Sequence, residues 1–274
     1  MHAHEFLQRY GPTALVTGAS SGIGEAFAIL LAQGGFDLVL VARRRHRLES
    51  LAARLRDHEG VNVSVCEADL STPTAIDAIV RSCEGQDIGL LVSNAGFGMK
   101  GAHYTNDPAA MQNMVQVNCI APMLLTRQFI PGLLQRGRGG IIITSSVEAL
   151  MGFPYSAPYA ASKAFAKSLG EGLWGELQSS GIDVLALCPG STDTETHALQ
   201  GIDSSKLEAM MSAQEVAREA IDNIDKGPLW ISGEHNREMF TAMADMERRE
   251  ALLIMSEAMQ QVLDPEHEAK PQLS

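Results

Sequence analysis

The chain has 274 residues, 45% of them hydrophobic, which suffices for one buried core, and no Pro/Ser/Gly-rich linker or shift in composition divides it. A formal charge of −12 counts against nucleic acid or an anionic membrane as a partner. No run reaches the ~18 uninterrupted apolar residues of a membrane-crossing helix, and the opening Met1-His2-Ala3-His4-Glu5 lacks the charged-then-apolar layout of a signal peptide. A cytoplasmic protein with no membrane insertion is therefore expected.

Residues 1–12 read as an N-terminal extension, after which short β-rich runs alternate with longer helical ones. The predicted strands are Ala14–Thr17, Asp37–Val41, Asn62–Glu67, Gly89–Ser93, Gly140–Ser145, Asp183–Cys188 and Pro228–Ser232. Several are nearly continuous in Val, Ile and Leu, as parallel strands covered on both faces must be. The predicted helices are Gly24–Gln33, His46–Glu59, Thr72–Glu84, Pro108–Arg136, Ala157–Ser180 and Ala213–Asp225. This alternation implies a single α/β domain over 13–237, a Rossmann-like doubly wound parallel sheet of about seven strands. Glu238 to Leu263 reads as one further helix with methionines among charges, either a packing and subunit-contact helix or a cover over the site; 264–274 reads as a polar tail. Cys66, Cys83, Cys119 and Cys188 have no short metal-type spacing and read as buried free thiols; no metal site is assigned.

The first strand runs through Thr17-Gly18-Ala19-Ser20-Ser21-Gly22-Ile23-Gly24 directly into a helix. Glycines permit the sharp turn and let a pyrophosphate approach the backbone N–H groups at a positive helix N-terminus. The spacing G-x-x-x-G-x-G meets the common dinucleotide fingerprint only loosely, but the first βα junction is where such folds bind dinucleotides. A ribose-gripping carboxylate is expected about 20 residues further on. There the chain reads Ala42-Arg43-Arg44-Arg45 instead. Successive cations are unfavourable at a helix N-terminus unless an anion meets them, and guanidinium suits a phosphate; NADP(H) is the expected cofactor. The plainer alternative is a set of solvated charges.

Tyr159 and Lys163 stand four apart and project from one helix face. A cation near a phenol favours its phenolate, so a lowered Tyr159 pKa suited to acid/base work is expected. With these pieces in order, the chain resembles the short-chain dehydrogenase/reductase family from Thr13 onward: TGASSGIG at 17–24, Asp69, Asn94-Ala95-Gly96, Asn118, Ser146, Tyr159 with Lys163, and Pro189-Gly190. The resemblance implies the following roles. Tyr159 exchanges a proton with the substrate oxygen, which Ser146 holds, with Ser145 as the neighbouring alternative. Lys163 binds the nicotinamide ribose, and Asn118 holds a water that relays protons from Lys163. Gly18, Ser20, Ser21, Gly22, Ile23 and Gly24 line the ribose and phosphates, and Arg43 takes the 2′-phosphate. Asp69 and Leu70 meet the adenine, Asn94, Ala95 and Gly96 the adenosine side, and Pro189, Gly190, Thr192 and Thr194 the nicotinamide. Outside the resemblance, Asp69 reads equally as a loop cap, Asn118 as a helix-kink residue and Asn94 as a strand bridge. Ser93 and Thr192 depart from the residues usual in the family at those places.

Substrate contacts are expected from Glu148, Met151, Phe153 and Tyr155 after the fifth strand and from Leu199 in a lid over 191–212. This lining is mainly apolar, with no Arg or Lys cluster, and suits a small, mainly apolar carbonyl or alcohol. The implied activity is an NADP(H)-dependent oxidoreductase interconverting carbonyl and alcohol in a homodimer or homotetramer. A silent NADP(H)-binding sensor and a 3-oxoacyl thioester reductase are the alternatives.

Overall fold

In the computed structural model, residues 3–195, 202 and 209–263 are described. A helix, α1 (Ala3–Tyr10), comes first; β1 (Thr13–Thr17), α2 (Gly22–Gln33), β2 (Asp37–Ala42), α3 (Arg45–Glu59), β3 (Val63–Glu67), α4 (Ala75–Ser82) and β4 (Ile88–Ser93) follow. Next are α5 (Pro108–Val115), α6 (Ala121–Arg136), β5 (Gly139–Thr144), α7 (Ala157–Leu177) and β6 (Ile182–Cys188). A two-residue strand β7 (Thr192–Asp193), its partner β8 (Met211–Ser212), α8 (Ala213–Asn223), β9 (Leu229–Ile231), α9 (Glu234–Asp245) and α10 (Arg248–Val262) complete the chain.

Seven strands form one parallel sheet in the order β3-β2-β1-β4-β5-β6-β9. The apolar runs explain the layering. Along each strand successive side chains face opposite sides. Ala14 and Val16, Leu38 and Leu40, and Leu90 and Val92 meet Phe27 and Leu31 of α2, Leu48 and Leu51 of α3 and Val216 of α8. Leu15, Val39, Val41, Leu91 and Ile143 enter the opposite layer with Ile79 of α4, Leu125 of α6 and Ala166 of α7. Strand order reverses between β1 and β4, which opens a crevice beyond their carboxyl ends, where ligands of such sheets bind.

Three details differ from the sequence reading. Residues 3–10 are a helix rather than a mere extension: Phe6 and Tyr10 are buried in the core, and the Tyr10 hydroxyl donates to Asp183 Oδ2 at 2.7 Å. Tyr10→Ala should therefore cost about 3–5 kcal/mol, the usual loss for a buried aromatic. Urea unfolding measures it, and a loss below ~1 kcal/mol would make α1 peripheral. The helix expected over Glu238–Leu263 is two, α9 and α10, because Met246 turns extended and Glu247 caps α10 by accepting from Glu250 N–H at 3.0 Å. The stretch Pro108–Arg136, one helix in the sequence reading, carries a π-turn at Gln116–Ile120. By length and composition it would also pass for a membrane-crossing helix, yet α6 packs against β4 and β5. All four cysteines are free and buried.

Candidate active site

The glycine turn sits at the carboxyl end of β1 and is held from two sides. Ala19 N–H donates to Val41 O of β2, and Gly18, at φ +70°, presses so closely on the loop after β4 that a Cβ would come within 2.9 Å of Ala95 Cα. Ser21 is the N-cap of α2 yet makes no side-chain cap, so the first N–H groups of that helix remain available to an anion, with Gly22, Ile23 and Gly24 opening the helix. Arg44, rather than Arg43, touches this turn: its guanidinium donates to Ser20 Oγ at 3.1 and 3.2 Å and to Ser21 Oγ at 2.6 Å. Arg44 and Arg47 also pair with Glu195 at 3.0 and 2.8 Å. Arg43 is exposed, and its charge acts on Asp69. Against the desolvation of its site, two bonds from Ser71 and then Arg43 hold the Asp69 carboxyl below its ordinary pKa. The Ser71 bonds make Asp69 a loop cap as well as a candidate adenine contact; Leu70 packs on the core beside it.

Asn94 bridges strands. Its Nδ2 donates to Thr17 O at 3.3 Å, its Oδ1 accepts from Thr144 Oγ1 at 3.2 Å, and the N–H groups of Asn94 and Ala95 both donate to Thr17 Oγ1 at 3.0 Å. Gly96 follows where space is short: a Cβ there would lie 2.8 Å from Lys163 Nζ and 3.1 Å from Asn118 Oδ1. The π-turn in the α5–α6 stretch aims Asn118 inward, 2% exposed. Such turns recur at functional sites. Both of its amide N–H groups are engaged, donating to Phe97 O and Ser162 Oγ at 2.9 Å, and its Oδ1 accepts from Phe97 N–H at 3.1 Å. Whatever else it does, Asn118 ties the loop after β4 to α7.

Thr144 ends β5, and Ser145 and Ser146 follow it against the first turns of α7. Ser145 is spent structurally, donating to Lys163 O at 2.7 Å. Ser146 stands near the Tyr159 phenol and acts to lower its pKa, whereas Ser145 is engaged elsewhere. Lys163, 4% exposed, donates to Thr144 O at 2.9 Å, and its Nζ stands 5.8 Å from the Tyr159 ring centroid. Burial pushes the Lys163 pKa down to about 8. The expected lowering of the Tyr159 pKa does not occur. Burial of the phenol, then the Glu148 carboxylate, raise it well above the ordinary tyrosine range and outweigh the opposing effect of Ser146. The phenol of this form holds its proton.

The loop after β5 departs further from expectation. Glu148, expected to face substrate, is instead clamped by Lys100, whose Nζ lies 2.5 Å from Glu148 Oε1 and 2.9 Å from Ser156 Oγ. Lys100 is absent from the sequence reading: a single lysine in a glycine-containing loop, it carries no periodic or motif signal. Met151 and Phe153 are half-buried, Phe153 packing with Val147, Cys188 and Phe240. Tyr155, at φ +57°, accepts a bond from Gln260 of α10 at 2.5 Å, so α10 reaches the site loop, as a covering helix would. Val147 N–H donates to Pro189 O, joining this loop to Pro189-Gly190; Thr192 bonds Gly190 O at 3.0 Å, and Thr194 lies beside Gly22. Leu199 and much of the expected lid over 191–212 lie outside the described residues.

Comparison with known proteins agrees with this arrangement. The short chain dehydrogenase family model matches residues 12–204. A 7beta-hydroxysteroid dehydrogenase of Clostridium sardiniense is 30% identical over 248 residues, 90% of this chain and 95% of that protein. Among solved structures, a short-chain dehydrogenase from Sphingobium yanoikuyae in complex with NADPH is 35% identical, with a TM-score of 0.76 over 87% of this chain and 97% of that one. The bulky-bulky ketone specific alcohol dehydrogenase from Comamonas testosteroni is 33% identical, with a TM-score of 0.74 over 87% and 96%. The chain belongs to the short-chain dehydrogenase family. It is an oxidoreductase of that family.

Proposed function

We propose that the protein interconverts a bulky, mainly apolar carbonyl compound and its alcohol with NADP(H), using Tyr159 as the group that gives or takes the proton. The observation that carries this reading is the convergence of Ser146, Tyr159 and buried Lys163 at the carboxyl end of β5, across from a glycine turn whose helix N-terminus is open to an anion. The uncapped α2, with the arginines after β2, fits a phosphorylated dinucleotide. When bound, that dinucleotide supplies or accepts the hydride. The chain does the rest. Ser146 holds the substrate oxygen beside the phenol, and Tyr159, protonated in this form, donates to that oxygen as the carbonyl is reduced. Lys163 positions the nicotinamide ribose, and Asn118 fixes the loop behind it and serves the proton path. In oxidation the phenolate form of Tyr159 removes the hydroxyl proton.

The relatives support the choice of substrate class, since one is a 7beta-hydroxysteroid dehydrogenase and another a bulky-bulky ketone specific alcohol dehydrogenase. NADPH oxidation followed by absorbance, with ketosteroids, bulky aryl ketones and short keto acids as the panel, tests it. Turnover confined to the charged keto acids would contradict the reading. We also assign a cytoplasmic homodimer or homotetramer. Val115 of α5, Met123 and Leu124 of α6 and Phe165 of α7 are exposed apolar side chains, and Val115 and Phe165 line one shallow pocket. Phe165→Glu should lower the mass found by light scattering; an unchanged mass would remove this face from the assembly.

A further inference from the structure

Lys100 is a buried cation at the site, and neither the sequence motifs nor the reaction assigned above uses it. Its side chain is 3% exposed, in the loop between β4 and α5, and its Nζ faces three groups at once. These are Glu148 Oε1 at 2.5 Å, Ser156 Oγ at 2.9 Å and the Tyr159 ring, whose centroid is 5.2 Å away. Ser156, fully buried, donates in turn to Glu148 Oε2 at 2.5 Å, and Glu148 N–H donates to Ser146 Oγ at 3.2 Å. Lys100 thus holds the Glu148 carboxylate, while the Glu148 backbone N–H holds Ser146, which stands near the Tyr159 phenol.

We propose that Lys100 and Glu148, locked together by Ser156, form a positioning pair that sets the net charge facing Tyr159 and thereby governs its proton transfer. The inference rests on Tyr159 being the acid/base group. The groups facing the phenol are few. Lys163 comes from the same helix, Glu148 and Ser146 from the end of β5, the Cys188 thiol from the end of β6, and Lys100 from the β4–α5 loop. Glu148 is the one carboxylate among these described groups. Its charge disfavours the phenolate, and Lys100 answers it at contact distance where little water intervenes to screen either.

Charge removal should therefore move the two sides in opposite directions. The pH profile of alcohol oxidation rises as Tyr159 loses its proton. Lys100→Met leaves Glu148 unanswered, so the rise shifts upward by about one pH unit and activity at a fixed pH on the rising limb falls about tenfold. Glu148→Gln shifts the rise downward. The double variant removes both charges, leaves no buried unpaired ion and should return the profile to within ~0.3 unit of the wild type. Lys100→Arg, which keeps the charge, should move it little. Should Lys100→Met fail to fold, Glu148→Gln and the double variant decide the matter alone. Profiles unmoved in the folded single variants, or shifted the same way by both, would overturn the proposal. Tyr159→Phe run beside them separates the two claims: if it remains fully active the assignment of Tyr159 fails, whereas an inactive Tyr159→Phe with unmoved profiles defeats only the positioning pair.

Discussion

Tyr159→Phe should lower kcat by roughly 10²- to 10⁴-fold, the usual worth of a positioned general acid, while changing KM and the melting temperature little. The ring of Phe fills the same space between Lys100 and Lys163, both within 6 Å of its centroid, so packing is preserved and only the proton is lost. Steady-state kinetics with the best ketone of the panel, beside a thermal melt, measures both. Wild-type turnover in a folded Tyr159→Phe would remove the assigned acid/base group. The protonated state of Tyr159 adds a direction to this expectation. Burial and Glu148 raise its pKa above the ordinary value, so near neutral pH the group starts as a donor, which suits carbonyl reduction. Oxidation needs the conjugate base and should gain as pH rises.

The second large effect concerns the cofactor. Arg43→Asp and Arg44→Asp should each reduce the preference for NADPH over NADH in kcat/KM, by roughly 10- to 100-fold, because each replaces a cation at the proposed 2′-phosphate site with a repelling carboxylate. The two should differ in a second respect. Arg44 bonds Ser20, Ser21 and Glu195, so its loss also loosens the glycine turn and weakens both cofactors. Arg43 is exposed beside Asp69 and should affect NADPH more selectively. An unchanged cofactor ratio in both variants would take the turn after β2 out of the account.

Much of the frame was legible in the sequence, because parallel strands covered on both faces leave uninterrupted runs such as Leu38–Val41 and Ile141–Ile143 between glycine-marked turns. Where a one-residue shift matters, the pattern was mute. Arg43, Arg44 and Arg45 are alike in composition, and only the backbone at the start of α3 turns Arg44 to the glycine turn. Ser145 and Ser146 are equally alike in sequence, and only the bond of Ser145 to Lys163 O and the position of Ser146 near the phenol distinguish them. The break between α9 and α10 lacked any Gly or Pro; methionines continue an apolar stripe across it, and the cap at Glu247 is a weak cue. Contacts between distant segments were out of reach. Lys100 and Glu148 stand 48 residues apart in the chain, yet their pairing decides what faces Tyr159. The sign of the Tyr159 shift lies beyond the sequence for the same reason: Lys163 is visible at four residues' spacing, whereas burial and the Glu148 carboxylate are not.

The most direct test of the central claim follows the transferred hydrogen itself. With NADPH deuterated at the nicotinamide C4 on the transferred face and a bulky ketone as acceptor, mass spectrometry of the product should find one deuterium on the new carbinol carbon. The wild type should form it at catalytic rates and Tyr159→Phe only in traces. A product alcohol without the label, or NADPH binding with no alcohol formed from any ketone of the panel, would contradict the assignment of a carbonyl reductase.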